Sequence, residues 1–189
     1  MRLRLSSLYC PSRLASNRLK LACGGQIVGK GIGSDAFRKV MGAYPTGVTL
    51  VASVSEGKPV AMVIGSFVSV SLNPPLVGFL PGKSSNTWPL MEASGSFCVN
   101  VFSDQQEDLA NSFYLKNSDP WSRIQYRSAL SGSPILDGCL AYIDCEIAQI
   151  VDAGDHWFVL GEVKDADCEN QGSPLIFLGG SYGRFEVMI

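Results

Sequence analysis

Residues 61–87 read Ala-Met-Val-Ile-Gly-Ser-Phe-Val-Ser-Val-Ser-Leu-Asn-Pro-Pro-Leu-Val-Gly-Phe-Leu-Pro-Gly-Lys-Ser-Ser-Asn-Thr. Val, Ile and Phe dominate the first half, the composition of a strand that packs on both faces. Ser66, Ser69 and Ser71 interrupt it with hydroxyls that need partners wherever the strand is covered. A flat polar heterocycle lying along the strand would supply those partners. Lys83, Ser84, Ser85, Asn86 and Thr87 then offer a cation, hydroxyls and backbone N–H groups ahead of a helix start, a combination suited to a phosphate. The same residues would also make an ordinary solvated loop. Asn73-Pro74-Pro75 breaks the strand material, and residues 76–80 resume it.

Working outward, Ser34 caps a short helix over 34–41, with Phe37, Val40 and Met41 expected to face inward. Tyr44-Pro45 stops it. Residues 46–54 and 60–64 read as strands around the turn Ser55-Glu56-Gly57-Lys58. A short helix is expected over 85–91 and a strand over 96–102. Ser103-Asp104-Gln105-Gln106 has capping-box spacing, so a helix should run to Phe113 with Leu109, Ala110 and Phe113 inward. Residues 114–138 read mostly as loop. Residues 140–151 and 157–163 form a long hairpin around Asp152-Ala153-Gly154-Asp155, whose acids are expected simply to solvate the turn. Strands over 174–178 and 181–187 close the count. About seven strands with few short helices predict a mainly β, antiparallel Greek-key barrel.

The chain has 189 residues, a length that suits one domain. Hydrophobic residues make up 46% and charged residues 17%, which excludes a disordered or charge-laced helical chain. No apolar run approaches the ~20 residues of a membrane-spanning helix. Six cysteines occur with no Cys-x-x-Cys pair, so zinc ribbons and redox dithiols are unsupported and a reduced, cytoplasmic setting is expected. Cys98, Cys139 and Cys145 lie in or beside apolar strand patterns, as buried thiols do.

The formal charge of −2 is unevenly spread. Residues 1–34 hold Arg2, Arg4, Arg13, Arg18, Lys20 and Lys30 and no acid; the remainder has nine basic residues against 17 acidic ones. Residues 1–33 therefore read as a basic extension, flexible or organelle-targeting, ahead of a domain over 34–189. The acidic domain argues against nucleic-acid binding.

Two nucleotide motifs are decoys. Gly31-Ile32-Gly33-Ser34-Asp35-Ala36 fits a dinucleotide fingerprint, but the strand before it is too short and the helix after it cannot serve as a crossover. Residues 24–30 spell most of a phosphate loop, yet Gly31 stands where Ser or Thr must hold magnesium. His156 is the only histidine, which rules out two-histidine metal sites; no metal is expected. Trp88, Trp121 and Trp157 read as core or subunit contacts rather than cofactor stackers.

A set of segments in fixed order carries a resemblance: Pro45-Thr46-Gly47-Val48-Thr49, Ser66-Phe67-Val68-Ser69-Val70-Ser71-Leu72-Asn73-Pro74-Pro75-Leu76, Phe97-Cys98-Val99-Asn100-Val101, Asp104-Gln105-Gln106-Glu107-Asp108-Leu109-Ala110, Gly154-Asp155-His156 and Tyr182-Gly183-Arg184-Phe185. Together they resemble the flavin reductase-like family, whose fold is the FMN-binding split barrel. The resemblance implies a homodimer that reduces FMN, or FAD as the alternative, with NADH or NADPH as co-substrate, and that supplies reduced flavin to a partner monooxygenase.

By the same resemblance, flavin contacts fall to Thr46, Val63, Ile64, Gly65, Ser66, Ser69, Val70, Ser71, Lys83, Ser84, Ser85 and Thr87. His156 is the catalytic candidate: it lies near the nicotinamide and hydrogen-bonds its carboxamide or steadies charge, beside Tyr182, Gly183 and Arg184. Val63 and Gly65 depart from the Thr and Asn or Ser common in the family, so flavin contacts there would fall to backbone groups. Two alternatives share the barrel: an FMN-retaining oxidoreductase with its own small-molecule substrate, and a non-enzymatic flavin- or haem-binding module.

Overall fold

Every side chain of Thr49-Leu-Val-Ala-Ser is buried, alternately on the two faces of a sheet. The computed structural model describes residues 31–115 and 119–188, so the phosphate-loop decoy over 24–30 lies outside the described residues. In chain order the elements are α1 (Ser34–Met41), β1 (Thr46–Gly47), β2 (Thr49–Ser55), β3 (Lys58–Ile64), β4 (Val68–Leu72), β5 (Pro75–Phe79), α2 (Trp88–Ser94) and β6 (Ser96–Val101). After a 3-10 turn (Asp104–Gln106) come α3 (Glu107–Ser112), a second 3-10 turn (Pro120–Arg123), β7 (Tyr126–Ser128), β8 (Pro134–Leu136), β9 (Ala141–Ala153), β10 (His156–Cys168), β11 (Leu175–Leu178) and β12 (Ser181–Arg184).

Seven strands form one antiparallel sheet in the order β3-β2-β6-β9-β10-β5-β4, and β1-β11-β12 form a second. One face of the large sheet buries Val51, Phe79, Phe97, Val99 and Val159 under Trp88 and Met91 of α2. The other gathers Leu50, Phe102, Leu136 and Leu175 with Ala110 of α3, and Leu109 and Phe113 pack against that cluster as the helical spacing predicts. Gly161 is needed where β10 crosses Phe97, since a Cβ there would stand 2.4 Å from the ring. Asn100, fully buried on β6, donates to the carbonyls of Leu50, Cys98 and Pro134 and accepts from the Leu136 N–H at 2.8 Å. It thereby ties β8, which lies outside the large sheet, to β6.

Two expectations are corrected. The described residues hold twelve strands where about seven were expected: nine stretches read as strands are present, the stretch read as loop adds the β7–β8 ribbon, and β1 and β2 are separate. Helix α1 has the expected bounds but buries nothing: Phe37, Val40 and Met41 are 53%, 62% and 46% exposed. Its tie to the second sheet is at its end, where the Gly179 N–H donates to the Gly42 carbonyl.

Candidate active site

Pairing places Thr46 opposite Phe177, and Phe177 opposite Tyr182, so three residues far apart in sequence form one rung across the small sheet. Consecutive glycines with positive φ, Gly179 and Gly180, make the tight β11–β12 turn that allows this rung. The Phe177 and Tyr182 rings meet edge to face at 5.4 Å. Across from them stand Val63 and Gly65 at the end of β3, and Glu107 and Asn111, one turn apart on α3. Together with Val48, Tyr114, Gly180 and Ser181 these enclose a cavity of about 770 Å³.

The lining is suited to a planar heteroaromatic ring. Aromatic and branched side chains supply flat apolar walls, and Thr46, Asn111 and Ser181 supply a few polar groups, the usual make-up of a small-molecule site. Gly65 keeps one wall open, for a Cβ there would come within 2.9 Å of Thr46 Oγ1. Burial pushes the Tyr182 phenol above its ordinary value, and the Glu107 carboxylate adds to that shift. Glu107, Asn111 and Tyr114 were not foreseen from sequence. Their signal was a polar stripe at i, i+4 and i+7 on the helix read only for its apolar side.

A second constellation forms where the loop after β5 meets the β9–β10 turn. Gly82 bridges to His156, the Lys83 N–H donates to the Asp155 carbonyl at 2.9 Å, and the Trp157 N–H donates to the Pro81 carbonyl at 2.9 Å. Lys83 Nζ binds Asp152 Oδ2 at 2.5 Å and lies over the Trp157 ring at 4.4 Å. His156 Nδ1 lies 2.8 Å from Asp155 Oδ1. The two turn acids thus engage the predicted cation and the predicted histidine, where only solvation was expected. Ser85 Oγ accepts from the N–H groups of Thr87 and Trp88 and so starts α2.

Ser66 links the two constellations. It follows Gly65 in sequence, and its Oγ accepts the N–H of Leu80, the residue that leads into Pro81 and Gly82. On edge strand β4, Ser69 and Val70 lie exposed and Ser71 is half-buried, with a register shift between Ser69 and Ser71 that makes Val70 a bulge. Ile64 is different: its side chain is in the core and its carbonyl accepts from Thr49 Oγ1. Gly183 and Arg184 line a separate hollow beyond Tyr182. Thr46, Val63, Gly65 and Tyr182 therefore share one cavity, and Lys83, Ser84, Ser85, Thr87 and His156 lie together in or beside the loop.

Both turn carboxylates are held below the ordinary value of 3.8: Asp152 first by the hydrogen bond it accepts from Lys83, and Asp155 first by the hydrogen bond it accepts from His156. A depressed folded value means that the Lys83–Asp152 contact is present above 3.8 and is lost as pH falls through the depressed value. Trp157 fluorescence is therefore expected to change during acidification below pH 3.8, as the ammonium leaves the ring. Asp152→Asn should abolish that step, and a step that persists in Asp152→Asn would contradict the assignment.

A model of the flavin reductase like domain matches residues 41–186. A flavin reductase of Pseudomonas putida is 47% identical over 86% of this chain and 96% of its own. HsaB, the reductase subunit of a flavin-dependent monooxygenase of Rhodococcus jostii, is 38% identical over 86% of this chain and 83% of its own. The crystal structure of nitrilotriacetate monooxygenase component B from Mycobacterium thermoresistibile superposes with a TM-score of 0.78 at 42% identity, covering 80% of this chain and 86% of that one.

Proposed function

The chain belongs to the flavin reductase-like family and is a flavin reductase; from that premise we propose an NAD(P)H:flavin oxidoreductase whose two rings meet in the cavity between Gly65 and Tyr182. The observation that supports this reading is the Thr46–Phe177–Tyr182 rung facing Val63 and Gly65 across about 770 Å³. A bound flavin, FMN in this proposal, supplies the centre that accepts a hydride from the nicotinamide; the protein supplies placement.

Each residue then has a physical task. Gly65 leaves ring space beside the Thr46 hydroxyl. Val63 has no donor, so polar contacts beside it come from the backbone. Phe177 and Tyr182, packed edge to face, form the apolar wall opposite Gly65. Ser66 carries the contact line toward the loop, where Lys83, Ser84, Ser85 and Thr87 would hold the phosphate, with Lys83 exchanging Asp152 for it. Asp155 holds the His156 ring through Nδ1 beside the Lys83 loop, outside the cavity lining, so its Nε2 would meet the carboxamide of a nicotinamide that reaches from the Tyr182 wall toward that loop.

The same proposal includes a homodimer, supported by the uncovered apolar residues of α1 and by Val68, Val70 and Leu72 on the β4 edge. It also includes a cytoplasmic setting, supported by four free cysteines among the described residues. Its reduced flavin would be consumed by a separate monooxygenase, a reading supported by the Rhodococcus relative, which is named as the reductase subunit of a flavin-dependent monooxygenase. The test is anaerobic mixing of protein, FMN and NADH, following loss of the oxidised flavin band near ~450 nm. His156→Ala is expected to slow that loss by about tenfold or more with flavin affinity unchanged. A non-enzymatic module would show no loss of the band in either protein.

A further inference from the structure

We propose that the hollow beside the cavity makes this chain selective for NADH over NADPH, with Glu107 as the specificity-determining residue. The inference rests on the function just proposed. The hollow, of about 240 Å³, is lined by Asp104, Gln105, Glu107, Leu175, Gly183 and Arg184. Glu107 lines both spaces and so stands at the passage between them. Among the described residues no Lys or Arg lines the main cavity. A dinucleotide whose nicotinamide lies against Tyr182 must place its adenosine half outside that cavity, and the adjoining space lies past Glu107.

Charge then separates the two nucleotides. A ribose 2′-hydroxyl can donate to a carboxylate, whereas a 2′-phosphate is an anion set against Asp104 and Glu107. Arg184 is the one cation among the described residues that line the hollow, and both its Nε and Nη2 lie on Glu186 Oε1, at 3.0 and 2.9 Å. That pair is exposed and adds little to stability, but it compensates the guanidinium that would otherwise receive the phosphate. Three carboxylates against one guanidinium leave the rim negative.

The flavin-loaded protein is expected to show kcat/KM at least about tenfold higher for NADH than for NADPH, as like-charge rejection of this kind requires. The ratio should shrink as salt is raised, because exposed charges are screened. Glu107→Gln should remove most of the ratio, and the Asp104→Asn, Glu107→Gln, Glu186→Gln triple variant should bring NADPH to parity or beyond. Calorimetric binding of NAD⁺ and NADP⁺ to the flavin-free protein should show the same order. Equal use of both nucleotides by the wild type would overturn the proposal, as would an unchanged ratio in both variants with unchanged melting temperature and flavin affinity. Failure to reduce flavin with either nucleotide would instead remove the function proposed above, and the two binding constants would still decide the charge of the hollow.

Discussion

Gly65→Val is expected to lower flavin affinity by at least about a hundredfold, or about 2.7 kcal/mol, while the protein stays folded. The added carbons enter the space that the ring needs, and the Cβ alone would stand 2.9 Å from Thr46 Oγ1. The backbone there requires no left-handed conformation and the position is exposed, so valine introduces no backbone strain and only the Thr46 side chain has to shift. Flavin fluorescence quenching gives the affinity, and thermal unfolding followed by circular dichroism confirms the fold. Gly65→Ala should fall between the two. Undiminished affinity in the valine variant would place the ring elsewhere.

Asn100→Ala is expected to cost about 3 kcal/mol and to lower the melting midpoint by about 10 °C. Asn100 is fully buried and offers the Leu136 N–H an acceptor at 2.8 Å and the Pro134 carbonyl a donor at 3.1 Å. Strand β8 pairs only with the three-residue β7, so these groups have no place in the large sheet. Removing the amide leaves both unpaired in a site closed to water, and truncation adds a small cavity. Because β8 lies away from the proposed ring site, flavin affinity measured below the new midpoint should be close to that of the wild type.

Much of this architecture is legible in the sequence. The strand at Thr49 showed itself by a run of β-branched residues, and α3 by its capping spacing and its Leu109, Ala110, Phe113 stripe. What stayed hidden had local causes. Tyr126–Ser128 and Pro134–Leu136 are too short for a period of two to register, and Pro134 beside Gly138 reads as turn chemistry. Helix α1 shows that amphipathicity announces an apolar face without saying that its partner lies in the same chain. Asp152 and Asp155 looked like turn residues because their partners, Lys83 and His156, meet them only through the Gly82–His156 bridge. Thr46, Val63, Gly65 and Tyr182 were named from resemblance. Their convergence on one cavity follows from the pairing of β1 with β11, which no short window of sequence contains.

The most direct measurement is a crystal structure of the protein bound to FMN. The flavin ring should lie between Gly65 and Tyr182, with its phosphate reached by Lys83 and the hydroxyls of Ser84, Ser85 and Thr87. A ring seated away from that cavity, with Gly65 and Tyr182 untouched, would contradict the account.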